Sequence, residues 1–347
     1  AANGSPAPNT AQTASALMTL RPNATFLWDR PYGKPKLVVQ GNFNNNGPFS
    51  AGKSLFVMDS TMTQYINGTR AVPFYTFSMA KSAANRPIVL NNDTVSIQDT
   101  FFLGTGQMIM NGKPLYMTWS NPAAFSRIVQ GNGGTTAGTG VLVSENPNSV
   151  VNWTIGPYVA PASYRSIPFV NRLDTVNAVP LQTLIPLGFL HKQGDMGIFK
   201  AATKYWASNT LPDPPTVTHL DLFNSTANNN LNVVDRYWMI GKTGPQNPAA
   251  NYPIADITMR ISTNATAPQV TERPTTMSTL KPGFAQPWRV YGLSWLRISA
   301  VATTNVSTVS SASGNTGTTL AGRPQTCSFT SWRLSTFVGP GLNIPAG

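Results

Sequence analysis

His191 and His219 are the only imidazoles of this chain and Cys327 is its only thiol. A nucleophilic relay needs a base held beside a serine on a sharp strand-to-helix elbow, and no Gly-x-Ser-x-Gly run supplies one. Glycoside hydrolysis needs two carboxylates flanking the bond. Glu145 and Glu272 are the sole glutamates, each set beside turn-forming residues. Asp93, Asp99, Asp213, Asp221 and Asp235 lack the alternating spacing of a calcium loop, and no Walker-type glycine loop is present. One cysteine excludes an intrachain disulfide and a cysteine-based metal site. The expectation is a non-catalytic chain with no cofactor and no metal.

The remaining chemistry is recognition. Trp119, Trp153, Tyr158, Tyr164, Trp206 and Trp288 could stack on the apolar faces of sugars, although core packing is the commoner fate of such rings. Lys and Arg number 24 against 12 acids, for a net charge of +12. They are scattered singly, as at Lys34, Lys53, Arg70, Arg127 and Arg165, rather than gathered into a basic stripe. Nucleic acid is therefore not the expected partner; anionic polysaccharide or an acidic surface suits the charge better. Asn-x-Ser/Thr sequons include Asn67, Asn92 and Asn152, a number that an Asn- and Thr-rich chain reaches by chance.

These residues must be carried by strands. Short runs such as Lys36-Leu-Val-Val, Gln64-Tyr-Ile-Asn-Gly, Pro73-Phe-Tyr-Thr-Phe and Gln107-Met-Ile-Met-Asn-Gly alternate apolar with polar or are continuously apolar. Asn/Gly turns close each of them. No segment keeps a 3.6-residue period, so the fold class is all-β. Charged residues are only 10% of the chain, against roughly 25% in ordinary globular domains. Asn, Thr, Ser and Gly take their place, as suits an exported protein. The Ala1-Ala2-Asn3 start reads as a mature N-terminus left after signal removal, and no apolar run is long enough to span a membrane.

The organisation expected is an extended arm at 1–28, a β domain at 29–130, a Gly/Thr linker at 131–140 and a β-sandwich at 141–347. The loose strand–turn repeat over 36–120 suits either a few coils of a β-solenoid or a sandwich meander. Within Val234-Asp-Arg-Tyr-Trp-Met-Ile, alternation sends Trp238 inward and Asp235 to the other face. The apolar residues Leu17, Leu20, Phe26, Leu27 and Trp28 of the arm could complete the sheet edge of a neighbouring copy by strand addition. That expectation makes the chain a partner for itself, a subunit of a homopolymer.

Leu37-Val-Val-Gln-Gly-Asn-Phe-Asn-Asn-Asn-Gly, Gln64-Tyr-Ile-Asn-Gly with Phe74-Tyr-Thr-Phe, Val234-Asp-Arg-Tyr-Trp and Phe329-Thr-Ser-Trp-Arg-Leu stand in an order that resembles large secreted Bacteroidota cell-surface proteins of the type IX pathway. The resemblance implies export to the cell surface and a role as scaffold, adhesin or extracellular fibre, with no catalytic residues to carry over. Those proteins usually end in a sorting domain, and none follows Ser335. Asp93-Thr94-Val95 and Asp174-Thr175-Val176 are similar to the sites such organisms O-glycosylate, marking Thr94 and Thr175. The functional expectation is a secreted structural protein that self-assembles into a filament or surface layer. Its alternative is a monomeric adhesin or carbohydrate-binding module.

Overall fold

The computed structural model describes residues 18–19, 35–50, 52–82, 86–118, 126–130, 140–146, 148–162, 164–170, 185–191, 193–204 and 238–244 with their side chains. The other strands named below are described by their backbone pairing. Every regular element among the described residues is a strand, and no helix there is long and apolar enough to cross a membrane.

The first part of the chain runs through β1 (Gln12–Ala14), β2 (Met18–Leu20), β3 (Phe26–Leu27), β4 (Lys36–Val39), β5 (Phe43–Asn45), β6 (Phe49–Ser50), β7 (Leu55–Met58) and β8 (Gln64–Asn67). It continues with β9 (Val72–Ala80), β10 (Pro87–Leu90), β11 (Val95–Thr105), β12 (Gln107–Ile109), β13 (Leu115–Met117), β14 (Arg127–Gln130), β15 (Val141–Val143) and β16 (Val151–Thr154). All pairings among these strands are parallel, and they sort into three stacks. One stack is β2-β5-β8-β10-β12-β15. A second holds β3 with β6, and the first half of β11 with the first half of β9, β13 and then β16. The third is β1, β4, β7, the second halves of β9 and β11, and β14. The chain visits the three stacks in turn, so this part is a three-faced parallel β-solenoid. The solenoid alternative read from the strand–turn repeat is the one realised.

Side-chain alternation fills the interior. In β9 the inward residues Val72, Phe74, Phe77 and Met79 are fully buried, while Pro73 and Tyr75 are half-exposed. Phe43, Phe49, Phe56, Phe74, Phe77 and Phe101 form one aromatic stack. Phe56 and Phe74 have centroids 4.5 Å apart, Phe74 and Phe77 4.9 Å, and Phe77 and Phe101 5.5 Å. Parallel strands buried on the inside demand such apolar runs, and burial of each ring contributes roughly 1.5–3 kcal/mol.

Strand pairing spans the boundary expected at 131–140. β12 before that stretch pairs with β15 after it, and β13 pairs with β16. Solenoid corners accept insertions because the strands on either side still stack. Residues 131–139 themselves lie outside the described residues. Two compact units divide instead after Thr154, one comprising 1–154 with 174–181, the other 155–173 with 182–347.

The second unit is mostly antiparallel. Its strands are β17 (Tyr164–Ile167), β18 (Leu187–His191), β19 (Ile198–Tyr205), β20 (His219–Leu220), β21 (Val233–Lys242), β22 (Ala255–Ser262), β23 (Gln286–Tyr291), β24 (Ser294–Arg297), β25 (Val306–Val309), β26 (Asn315–Ala321) and β27 (Thr330–Ser335). One sheet runs β17-β18-β22-β26-β25, the other β19-β21-β27-β23-β24-β20. Phe189 of β18 and Phe199 of β19, both fully buried, lie 4.2 Å apart and join the two sheets across their inner faces. Trp238 is buried as its strand parity requires.

The N-terminal arm also departs from expectation. β1, β2 and β3 pair with β4, β5 and β6 of their own chain, with Leu20 level with Asn45, Phe26 with Phe49 and Leu27 with Ser50. One edge of each of β4, β5 and β6 is thus covered by this chain's own arm. Strands one coil apart in sequence reach that edge with far less loss of freedom than a second molecule. Leu17 and Trp28 lie outside the described residues.

Candidate functional site

The corner between the first and second stacks carries the feature that repeats most regularly. Asn67 Nδ2 donates to Asn44 Oδ1 at 2.7 Å, Asn91 to Asn67 at 2.8 Å, Asn111 to Asn91 at 2.8 Å and Asn146 to Asn111 at 3.2 Å. These rungs are separated by 23, 24, 20 and 35 residues. A carboxamide both donates and accepts, so identical residues stacked at the strand spacing of about 4.8 Å satisfy each other in one direction along the rod. Neighbouring asparagines hold the corner from inside. Asn92, buried, donates to the Gly68 and Arg70 carbonyls at 3.0 and 2.8 Å, and Asn45 to the Ala71 carbonyl at 2.8 Å.

This ladder bears on the sequons. Asn67 and Asn92 have their amide nitrogens committed to these bonds, and Asn152 is half-buried. Thr94 is exposed one residue beyond Asp93, which pairs with Lys113, and the Thr94 amide donates to Asn92 Oδ1 at 2.9 Å. Its hydroxyl side is open to solvent. Thr175 lies outside the described residues.

The opposite corner, between the third and first stacks, is polar on the inside. Lys81 is 3% exposed, and its Nζ donates to the Met62 carbonyl and to Gln64 Oε1, both at 2.7 Å. Burial pushes the Lys81 ammonium down from its ordinary range to about 8, against the opposing pull of the Asp59 carboxylate. Gly106, at φ +106°, leaves room for the lysine stem: a Cβ there would fall 2.5 Å from Lys81 Cγ.

In the second unit, Tyr164 is 56% exposed although it sits in a strand. A Cβ on Gly188 would stand 1.8 Å from its hydroxyl oxygen. The hydroxyl end of the phenol therefore lies against the bare backbone of β18 at Gly188. On the inner face of the same strand Arg165 covers the Phe189 ring at 5.9 Å. His191 is buried, with Nε2 3.0 Å from the Gln193 carbonyl and its ring edge-on to Tyr158 at 5.5 Å. Burial lowers its pKa below the ordinary imidazole value.

Among the rings considered for sugar stacking, Trp153 is instead a core residue, its indole donating to the Ser126 carbonyl at 3.1 Å. Tyr158 is half-buried against His191, and Tyr164 alone among the described members is broadly exposed. Trp119 and Trp206 lie outside the described residues. His219 stands in β20 and His191 in β18 of the other sheet. Among the described residues no three His, Cys, Asp or Glu gather as a metal site would require. The asparagine ladder was missed in the sequence. Its signal was there as Asn-Asn and Asn-Gly pairs at the ends of β5, β8, β10 and β12.

No family model, curated protein or solved structure matches this chain.

Proposed function

We propose that this chain is an extracellular structural protein, a stiff spacer within a surface filament or layer of the type IX-exported kind. The observation that carries the reading is the asparagine ladder, which with the phenylalanine stack braces successive coils along one direction. Continuous hydrogen bonding and a filled interior resist bending, which is what a spacer needs, and they are built from uncharged residues. The low charge density suits an exported surface, and the net charge of +12 suits attachment to anionic polysaccharide. Thr94, one of the two glycosylation candidates, is exposed. Electron microscopy of the native protein sheared from its cells tests the reading. Regular fibres or lattices are expected, and dispersed particles alone would overturn it.

A second reading, a monomeric adhesin, rests on a different observation. Tyr164 sets its hydroxyl end against Gly188 and leaves more than half of its surface exposed, and an exposed ring can stack on a pyranose. Glycan-array binding that disappears in Tyr164→Ala supports it; an array without signal rejects it.

A further inference from the structure

Gln64 opens β8 and Lys81 follows the end of β9, so the two stand at the beginning and end of one coil, 17 residues apart. Both are inside the protein, at 1% and 3% exposure. Their contact is tightly constrained. Gln64 Nε2 donates to the Val39 carbonyl at 2.9 Å and the Gly41 carbonyl at 2.7 Å, both in the preceding coil. Two acceptors fix which end of the carboxamide carries nitrogen, so Oε1 must face the lysine. From the other side, the Lys81 amide donates to the Thr105 carbonyl of the following coil at 3.1 Å, anchoring the residue. The lysine stem is confined by the Gly106 backbone.

Lys81 Nζ is 2.7 Å from Oε1. A carbonyl bond is about 1.2 Å long, so the carbonyl carbon is no farther than about 4 Å from the amine. A buried amine is thus held beside a primary carboxamide at the edge of attack distance, with water excluded from both.

We propose that Lys81 and Gln64 join in an intramolecular isopeptide bond. The lone pair of the neutral amine attacks Gln64 Cδ and forms the Nζ–Cδ bond. The Cδ–Nε2 bond then breaks, and Nε2 leaves as ammonia after taking up the proton that Nζ loses. One amide replaces another, so no electrons are exchanged and no co-reactant is consumed. The product keeps one N–H on Nζ, which can still donate to the Met62 carbonyl. The Val39 carbonyl keeps the Asp59 amide as a donor at 3.1 Å.

The amine is prepared for this step. With its pKa lowered to about 8 by burial, about a tenth of it is neutral at pH 7, where an ordinary lysine is almost wholly charged. The bond would close the coil from β8 to β9 into a covalent ring around Phe74 and Phe77.

The test is intact mass spectrometry of the full chain, held at pH 8 until the mass is constant, beside Lys81→Arg. The wild-type chain is expected to be lighter than its sequence by one ammonia, and its digest to contain a branched peptide joining residues 64 and 81. Lys81→Arg is expected at full mass. Succinimide formation at Asn67-Gly68 or Asn111-Gly112 also releases ammonia, but it would persist in Lys81→Arg and give no branch. A wild-type chain at full mass, or a deficit that persists in the variant, overturns the proposal. If Lys81→Arg does not fold, the wild-type digest decides: a branched peptide supports the bond and its absence overturns it.

Discussion

Asn91 Nδ2 donates to Asn67 Oδ1 at 2.8 Å while Asn91 Oδ1 accepts from Asn111 Nδ2, also at 2.8 Å. Each middle rung is thus tied to the coil before and the coil after. Asn91→Ala removes both bonds and leaves Asn67 and Asn111 to find water, which they can do because this corner is exposed. The net loss expected is about 1–2 kcal/mol, two hydrogen bonds at their usual contribution. A lowered urea midpoint with unchanged slope is the readout. A midpoint equal to the wild type would mean that the ladder is decoration.

The interior should respond more strongly than the corner. Phe74 touches Phe43, Phe49, Phe56 and Phe77, with centroids between 4.5 and 6.1 Å. Phe74→Ala opens a cavity that four other rings cannot close, and about 3–5 kcal/mol is expected. Tyr75, the next residue, faces outward and is half-exposed. Tyr75→Ala should cost less than about 1 kcal/mol. Equal losses from the two, measured by chemical denaturation, would mean that the inward and outward faces of β9 are wrongly assigned.

How much of this was legible follows from what each pattern encodes. Val72, Phe74 and Pro73, Tyr75 alternate at period two, so β9 and its inner face could be read directly. The continuous run Pro87-Ile-Val-Leu likewise declared a buried strand. Whether such strands stack as coils or meander as hairpins depends on pairing partners about 20 residues away, and no local rule states those. The asparagines were seen as turn formers because Asn is common in turns; the ladder appears only once Asn44, Asn67, Asn91 and Asn111 are aligned by coil. Gly131–Gly140 was read as a linker from its composition, which does not state whether the strands before and after it pair with one another. Lys81 and Gln64 carried no signal at all, because a buried lysine is rare and nothing in its neighbours announces burial.

Gly68 tests the corner geometry. Its φ is +116°, and a Cβ there would stand 2.0 Å from the Asn45 carbonyl oxygen of the preceding coil. Backbone torsion and collision act together, and neither is relieved by a side-chain rotation. Gly68→Ala should destabilise by more than about 2 kcal/mol or prevent folding. Circular dichroism and thermal melting report either outcome, and a variant as stable as the wild type would refute this corner.

His191 gives the second unit a dependence on pH. Burial is the main cause of its lowered pKa, with the Arg165 charge acting the same way and Asp195 and the Gln193 and Gly194 carbonyls opposing. The folded state therefore binds its proton less readily than the unfolded chain. Stability from this group is complete above about pH 6.5, the ordinary imidazole value, and declines as pH falls towards the folded pKa. Thermal melts between pH 7.5 and 5 should slope downward in the wild type and less so in His191→Gln. Parallel slopes would assign the acid sensitivity to other groups.

The arm offers the sharpest separation between two ways of assembling. If residues 1–28 served a neighbour, their deletion would leave a folded monomer of unchanged stability and abolish association. The pairing of β1, β2 and β3 with β4, β5 and β6 implies the reverse. Deletion strips a strand from the first coil of each stack. It bares the backbone edges of β4, β5 and β6 and uncovers the end of the aromatic stack at Phe43 and Phe49. The truncated chain should melt at a lower temperature than the full chain. Its association should rise with concentration, because unpaired parallel edges recruit other strands. Sedimentation velocity and thermal melting on the same samples distinguish the cases. A truncated chain that stays monomeric with its melting temperature intact would show that the arm belongs to a partner rather than to its own solenoid.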